Sequence, residues 1–144
     1  MRKIIFTFAV FALFAAVSNG IVFASHNVLH GKIIALDAGH GNGATGAVNQ
    51  KYGVIEADVN LDVVQALQTK LETFYGAHVV VAERFSTRRD RVNDAVAKCA
   101  QFDINGDGVG DKCDVLVSIH HNGNTDPAHD GTLTIYTQNS DKPL

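Results

Sequence analysis

Three side chains of this protein have the chemistry of a catalytic zinc centre, although they lie far apart along the sequence. His40 follows a short apolar segment, Glu56 begins a stretch with helical periodicity, and His120 ends a second apolar segment. Two imidazole nitrogens and one carboxylate oxygen bind Zn²⁺ and leave its fourth position for water. Such an ion acts as a Lewis acid in hydrolysis. The spacing is unlike the compact H-E-x-x-H pattern, so surface or hydrogen-bonded histidines are the alternative on spacing alone.

Alternating strands and helices would carry these residues to one place. Apolar runs predict strands over 32–37, 77–82, 115–120 and 131–137, and three- and four-residue spacing predicts helices over 56–75 and 88–102. Gly76 is typical of a helix C-terminus, and Ser86 or Thr87 would cap the second helix. The pattern predicts an α/β fold, a single domain with a mostly parallel sheet and helices on both faces. The carboxyl ends of parallel strands share one edge, where His40 and His120 would meet.

Length and composition restrict the classes of function. The 144 residues are enough for one domain, and a content of 46% hydrophobic and 19% charged residues is typical of a globular protein. A formal net charge of −3 argues against nucleic acid as a partner, because phosphate binding needs clustered Lys and Arg. Gly41, Gly43 and Gly46 fit the G-x-G-x-x-G pattern. We expect no nucleotide there, because residues 49–53 are turn-like and no helix begins within the loop.

The N-terminal segment 1–24 has the layout of a secretory signal peptide. Met1-Arg2-Lys3 is positively charged, residues 4–17 are almost entirely apolar, and residues 22–24 form a cleavage site. We therefore expect a mature domain of residues 25–144 that is secreted or periplasmic and has no stable membrane insertion. An uncleaved anchor is the alternative, although polar residues 18–20 interrupt the apolar run.

Several short motifs between residues 32 and 137 form an ordered set. Residues 36–41 read LDAGHG, Glu56 is followed by Asn60-Leu61, and residues 118–122 read SIHHN. This set resembles the zinc-dependent N-acetylmuramoyl-L-alanine amidases of the amidase_3 type, whose signatures read L-D-P-G-H-G, G-x-x-E-x-x-x-N-L and S-I-H-x-N. Ala38 stands where that family usually has Pro. Residues 131–136 are similar to the family's G-x-x-x-Y strand, and residues 79–95 follow its pattern less closely.

The resemblance implies a reaction and a partner. It implies that His40, Glu56 and His120 hold zinc, and that the substrate is peptidoglycan. The bond cleaved would be the amide between N-acetylmuramic acid and the L-Ala of the stem peptide.

The family's catalytic glutamate is not matched in this sequence. It belongs to a later strand, and the sequence ends at Leu144. Glu72 and Glu83, the other two glutamates, match no catalytic position of the family. We expect that the domain is partial at its C-terminal end. The alternatives are that another residue replaces the base, or that the protein is a non-catalytic peptidoglycan-binding or calcium-binding module that lacks it.

Residues 103–114 have the spacing of a twelve-residue calcium loop. Side-chain oxygens fall at positions 1, 3, 5, 9 and 12, glycine is at position 6, and a backbone carbonyl is at position 7. The predicted ligands are Asp103, Asn105, Asp107, Val109, Asp111 and Asp114. The string resembles a thrombospondin type 3 calcium repeat, here as an insertion in the domain. An ordinary Asp/Gly turn is the alternative.

Two further expectations concern Cys99, Cys113 and His121. The cysteines bracket the loop, and in an exported protein we expect them to form a disulfide; two reduced, partly buried thiols are the alternative. His121 follows His120, so strand alternation predicts that its side chain points to the opposite face. We therefore expect His121 to be a neighbour of the metal ligands or to face solvent, and not to be a ligand itself.

Overall fold

The computed structural model describes residues 27–121 and 123, so the predicted signal segment 1–24 and the predicted strand 131–137 lie outside the described residues. The elements are β1 (Ile33–Ala38), β2 (Val48–Asn49), β3 (Val54–Ile55), α1 (Glu56–Tyr75), β4 (His78–Val81), α2 (Arg88–Cys99) and β5 (Val115–Ile119). Neither α1 nor α2 is both long enough and apolar enough to cross a bilayer.

The main sheet is parallel, as the sequence predicts. Its order is β4-β1-β5, and Leu36 of β1 pairs with Val81 of β4 on one side and Val117 of β5 on the other. All six residues of β1 are buried. The central strand is therefore covered on both faces, which explains why it reads as a continuous apolar run.

Helices cover both faces of this sheet, which confirms the predicted α/β architecture. Ile33 and Ala35 of β1 pack with Ala95 and Cys99 of α2. Ile34 and Leu36 pack on the other face, in a cluster that includes Val64 of α1. Each fully buried Val, Leu or Ile side chain among these stabilises the fold by about 1.5–3 kcal/mol relative to exposure.

Three of the four helix ends lie where the sequence predicts them, and the C-terminus of α2 does not. Helix α1 ends at Tyr75, and Gly76 takes the left-handed conformation at φ 72°. Thr87 caps α2 by accepting a hydrogen bond from the Asp90 N–H. The prediction that the second helix continues to Phe102 is wrong, because α2 ends at Cys99. The N–H of Phe102 bonds to the Cys99 carbonyl, three residues back, in a tight turn that leads away from the helix axis.

A short hairpin between β1 and α1 was not predicted. Residues 50–53 of the expected 49–53 turn form a turn, but Asn49 belongs to β2: Val48 pairs with Ile55 and Asn49 with Val54. Strands of two residues are too short to show a periodicity. The hairpin leads directly into α1, and the Glu56 N–H donates to the Ala47 carbonyl.

A buried ion pair joins β1, α2 and β5 close to the carboxyl ends of the strands. The Arg91 Nε donates to Asp37 Oδ1 at 2.6 Å, and the Ser118 hydroxyl donates to Asp37 Oδ2 at 2.7 Å. Arg91 also donates to the Phe85 carbonyl. Losing one partner of such a pair costs about 3–5 kcal/mol, because the other charge stays buried. The network thereby holds the three elements together beneath the loop that contains His40.

Candidate metal centre

The structure brings His40, Glu56 and His120 together at the carboxyl ends of β1 and β5. Glu56 Oε1 lies 3.2 Å from His40 Nε2 and 3.1 Å from His120 Nδ1. One ligand atom from each residue can be chosen so that all three lie within 4.8 Å of one another. Ligands of a tetrahedral zinc ion at about 2.0–2.1 Å lie about 3.3 Å apart. The two histidine–glutamate distances match this spacing.

His40 reaches the cluster through an unusual backbone conformation. Its φ is 67°, in the left-handed region, which costs a residue with a side chain about 1–2 kcal/mol. The Gly39 N–H donates to the Ile119 carbonyl and continues the β1–β5 pairing up to the residue before His40. A strained residue directly after a strand, with its side chain in a cluster of ligands, is typical of a functional site.

Glu56 is held by donors on several sides. Its Oε2 accepts from the Ala47 N–H at 2.9 Å, and its Oε1 accepts from the His121 N–H at 3.1 Å. Burial opposes ionisation, but these two bonds, with those from the His120 and Asn60 side chains, outweigh it and lower the pKa of Glu56 from 4.5 to about 2. The carboxylate is therefore ionised at neutral pH, as a metal ligand must be.

The donor set and its exposure fit zinc. The centre offers two imidazoles and one carboxylate, the composition of a catalytic zinc site. Glu56 is only 7% exposed, whereas His40 and His120 are 30% and 33% exposed. The cluster is therefore anchored on its protein side and open to solvent on the side of the two rings. An open side is what a substrate and a fourth ligand require.

Two glycines make room for these side chains. A Cβ on Gly39 would overlap the His120 ring, and a Cβ on Gly46 would clash with both the Glu56 carboxylate and the His40 ring. Gly46 also has a φ of 68°. The glycine-rich loop after β1 therefore lets the backbone pass directly against the ligands, a use that the G-x-G-x-x-G spacing does not reveal.

The prediction that His121 points to the face opposite His120 is wrong, whereas its predicted place as a neighbour of the ligands agrees with its contact with Asn60. The His121 backbone N–H contacts Glu56, and its Nδ1 lies 2.6 Å from Asn60 Oδ1, so both histidines face helix α1. The reason is that β5 ends at Ile119, and side-chain alternation ends with the strand. Asn60, which the sequence marks only as part of a motif, is fully buried beside the cluster.

The predicted calcium ligands are only partly brought together. Asp103 accepts hydrogen bonds from the N–H groups of Gly106, Asp107 and Gly108, and Asn105 bonds to Asp107. Asp111 accepts from the Ile104 N–H, and Val109 is exposed.

The last predicted ligand, Asp114, faces the sheet. Its carboxylate accepts from Lys32 Nζ at 2.8 Å and from the Ile33 N–H at 2.7 Å. Burial opposes ionisation there too, but the bonds from Lys32 and Ile33 outweigh it and lower the pKa of Asp114. Within residues 27–121 and 123, the group of His, Cys, Asp and Glu side chains close enough for one ion is His40, Glu56 and His120.

Cys99 and Cys113 are joined by a disulfide, with their Cα atoms 5.4 Å apart. Cys99 is fully buried under β1, so the bond ties both ends of the 103–114 loop to the core. The other two glutamates lie on α1 and in the segment between β4 and α2. Glu72 accepts a bond from Gln68 on the exposed side of α1, and the Glu83 N–H donates to Asp94.

One protein family and two known amidases are similar to this chain. A family model described as N-acetylmuramoyl-L-alanine amidase (Amidase_3) matches residues 34–143. N-acetylmuramoyl-L-alanine amidase LytC of Bacillus subtilis (strain 168) is 32% identical over 124 residues, which are 84% of this chain and 22% of LytC. The CwlD amidase of Clostridioides difficile, solved in complex with the GerS lipoprotein, is 26% identical; the match covers 68% of this chain and 52% of that chain, with a TM-score of 0.45. The chain thus spans about a fifth of LytC and about half of the CwlD chain.

Substituting Gly39 tests whether the centre needs the close approach of the Gly39 backbone to the His120 ring. We expect Gly39→Ala to displace the His120 ring and to weaken zinc binding by about 10-fold or more, because ligand orientation controls affinity. Competition with a coloured chelator measures the dissociation constant. Gly43→Ala is the matched control, because no atom lies within 4 Å of its added Cβ although its φ of 89° makes alanine strained there. Wild-type affinity in Gly39→Ala would contradict the prediction.

Proposed function

Because the chain belongs to the N-acetylmuramoyl-L-alanine amidase family, we propose that it is a zinc-dependent hydrolase of peptidoglycan. The bond cleaved is the amide between N-acetylmuramic acid and the L-Ala of the stem peptide. One observation carries the proposal. His40, Glu56 and His120 come from three separate segments and converge at the carboxyl ends of the parallel strands β1 and β5.

The residues of the site account for metal binding and substrate approach in amide hydrolysis, whereas the family's catalytic glutamate is not matched in the sequence. Zinc at this centre would supply a Lewis acid that polarises the amide carbonyl and activates water. His40 and His120 offer ring nitrogens on the solvent side, where a peptide can approach. Glu56 supplies the negative charge, and its low pKa keeps it available as a ligand well below neutral pH. The backbone N–H groups of Ala47 and His121 fix its carboxylate plane.

Release of free stem peptides from purified peptidoglycan tests this function. We expect release with zinc present, its loss on adding a chelator, and its return on adding zinc back. His40→Ala, Glu56→Gln and His120→Ala should each lower the rate by more than about 100-fold, because even the loss of an outer partner of a zinc ligand costs 10–100-fold. His30→Ala is the matched control, since His30 is an exposed histidine on the turn before β1. Mass spectrometry of the released peptides identifies the bond cleaved.

The outcomes of this assay separate the two functional classes. Retention on insoluble peptidoglycan with zinc bound but no peptide released would contradict the hydrolase and indicate a binding module. Release that persists in the three ligand variants would contradict the assignment of the site.

We also propose that the 103–114 loop binds calcium. The spacing of its oxygen ligands supports this. The Asp103 carboxylate accepts hydrogen bonds from three backbone N–H groups, with which an ion would share its oxygens. Asn105, Asp111 and Asp114 line one cavity of about 230 Å³. Calcium would compete with Lys32 for Asp114, because that carboxylate is already paired.

Thermal unfolding in calcium and in chelator tests the loop. We expect calcium to raise Tm by a few degrees, because a ligand that binds only the native state stabilises it by RT ln(1 + [L]/Kd). Asp103→Asn should abolish the shift, whereas Asp62→Asn, on the exposed side of α1, should leave it intact. Identical melting curves with and without calcium in the wild-type chain would refute calcium binding.

We propose further that the protein is secreted or periplasmic, with residues 1–24 removed. The Cys99–Cys113 disulfide supports this, because such bonds persist in oxidising compartments. Intact mass measurement of the protein recovered from the producing cell should give a chain that begins at Ser25. Recovery of the full-length chain in the cytoplasm, with reduced cysteines, would contradict export.

A further inference from the structure

One buried amide, that of Asn60, contacts all three segments that contribute a metal ligand. Asn60 lies on α1 one turn after Glu56 and is fully buried. Its Nδ2 lies 2.9 Å from the Gly39 carbonyl and 3.5 Å from Glu56 Oε1, and its Oδ1 lies 2.6 Å from His121 Nδ1. Gly39 precedes His40 in the chain, and His121 follows His120.

The chemistry of the partners determines how this amide is oriented. A backbone carbonyl can only accept, so the Gly39 oxygen requires the Nδ2 donor of Asn60. Oδ1 then faces His121, whose Nδ1 must carry the hydrogen of that bond. The second Nδ2 hydrogen is directed towards the Glu56 carboxylate. A hydrocarbon side chain at this position would lose all three contacts, and an amide moved by one methylene could not keep them together.

These contacts lie where the backbone pairing ends. The hydrogen bond from the Gly39 N–H to the Ile119 carbonyl lies at the end of the β1–β5 pairing, directly before the two histidines. Beyond it, Asn60 joins the residue before His40 to the residue after His120, and it does so from a helix that packs against the sheet through Val64. Rigid support of this kind keeps ligands within the narrow range of positions that a metal accepts.

We propose that Asn60 is a positioning residue that sets the spacing of the three zinc ligands. The inference rests on the proposed function, since it assumes that the centre binds zinc. Asn60 acts through its neighbours and does not itself coordinate the ion. If Asn60 has a purely structural role, its substitution lowers only the stability of the protein. If it is a positioning residue, its substitution also lowers zinc affinity, and by more than in a control variant that is equally destabilised.

Zinc affinity in Asn60 variants separates the two roles. The dissociation constant is measured on the full chain by competition with a coloured chelator, and Tm is measured without zinc on the same samples. We expect Asn60→Ala to weaken zinc binding by about 10–100-fold, as for other outer partners of zinc ligands. Val64→Ala is the matched control, because Val64 is a fully buried residue one turn further along the same helix and packs in the apolar core. It should lower Tm but keep zinc affinity within about 2-fold of wild type.

Asn60→Gln keeps the proposal testable if Asn60→Ala fails to fold. It retains the amide but displaces it by one methylene, so we expect a folded protein whose zinc affinity still falls several-fold. Wild-type zinc affinity in a folded Asn60→Ala or Asn60→Gln would overturn the positioning role while leaving the zinc centre intact. Absence of zinc binding by the wild-type chain would instead overturn the proposed function, and the inference with it.

For substrate turnover, a positioning role lowers kcat with KM nearly unchanged, and a shift confined to KM would contradict it.

Discussion

The candidate site depends on keeping one buried carboxylate ionised. Removing Glu56 from water favours its neutral form, and only the surrounding donors reverse that preference. Those donors come from three places: the hairpin that precedes α1, the chain after β5, and the next turn of α1 itself. The same carboxylate lies 3.2 Å from a ring nitrogen of His40 and 3.1 Å from one of His120, although the two histidines belong to separate segments. The position of Glu56 therefore requires that the sheet, the helix and the hairpin are all in place.

The parallel sheet explains why these parts meet. Because β1 and β5 are neighbours and run in the same direction, the segments that follow them emerge side by side. The buried Asp37–Arg91 pair and the Ser118 hydroxyl tie the ends of these strands to α2. His40 takes a left-handed conformation directly after β1, and residues in such strained conformations persist only where the surrounding structure fixes them.

The two candidate metal regions lie at opposite ends of the central strand. Asp114 bonds to Ile33 at the beginning of β1, whereas Gly39 and His40 follow its end. Six strand residues span about 20 Å. Binding of an ion in the 103–114 loop would therefore act on the centre through the stability of the sheet, and the Cys99–Cys113 disulfide already anchors that loop to the core.

The sequence by itself determined the features that depend on neighbouring residues or on short motifs. Periodicity is enough for α1 and for the apolar strands, Gly76 and Thr87 mark helix ends through their own backbone or side-chain chemistry, and the LDAGHG and SIHHN strings mark two of the candidate ligands. Only the tertiary structure decided which face His121 occupies, which partners Asp114 takes, and that Asn60 joins the segments of the candidate centre. The physical reason is distance along the chain: these contacts join residues 21 to 82 positions apart. Such contacts leave no local pattern, and they exist only once the sheet has brought the segments together.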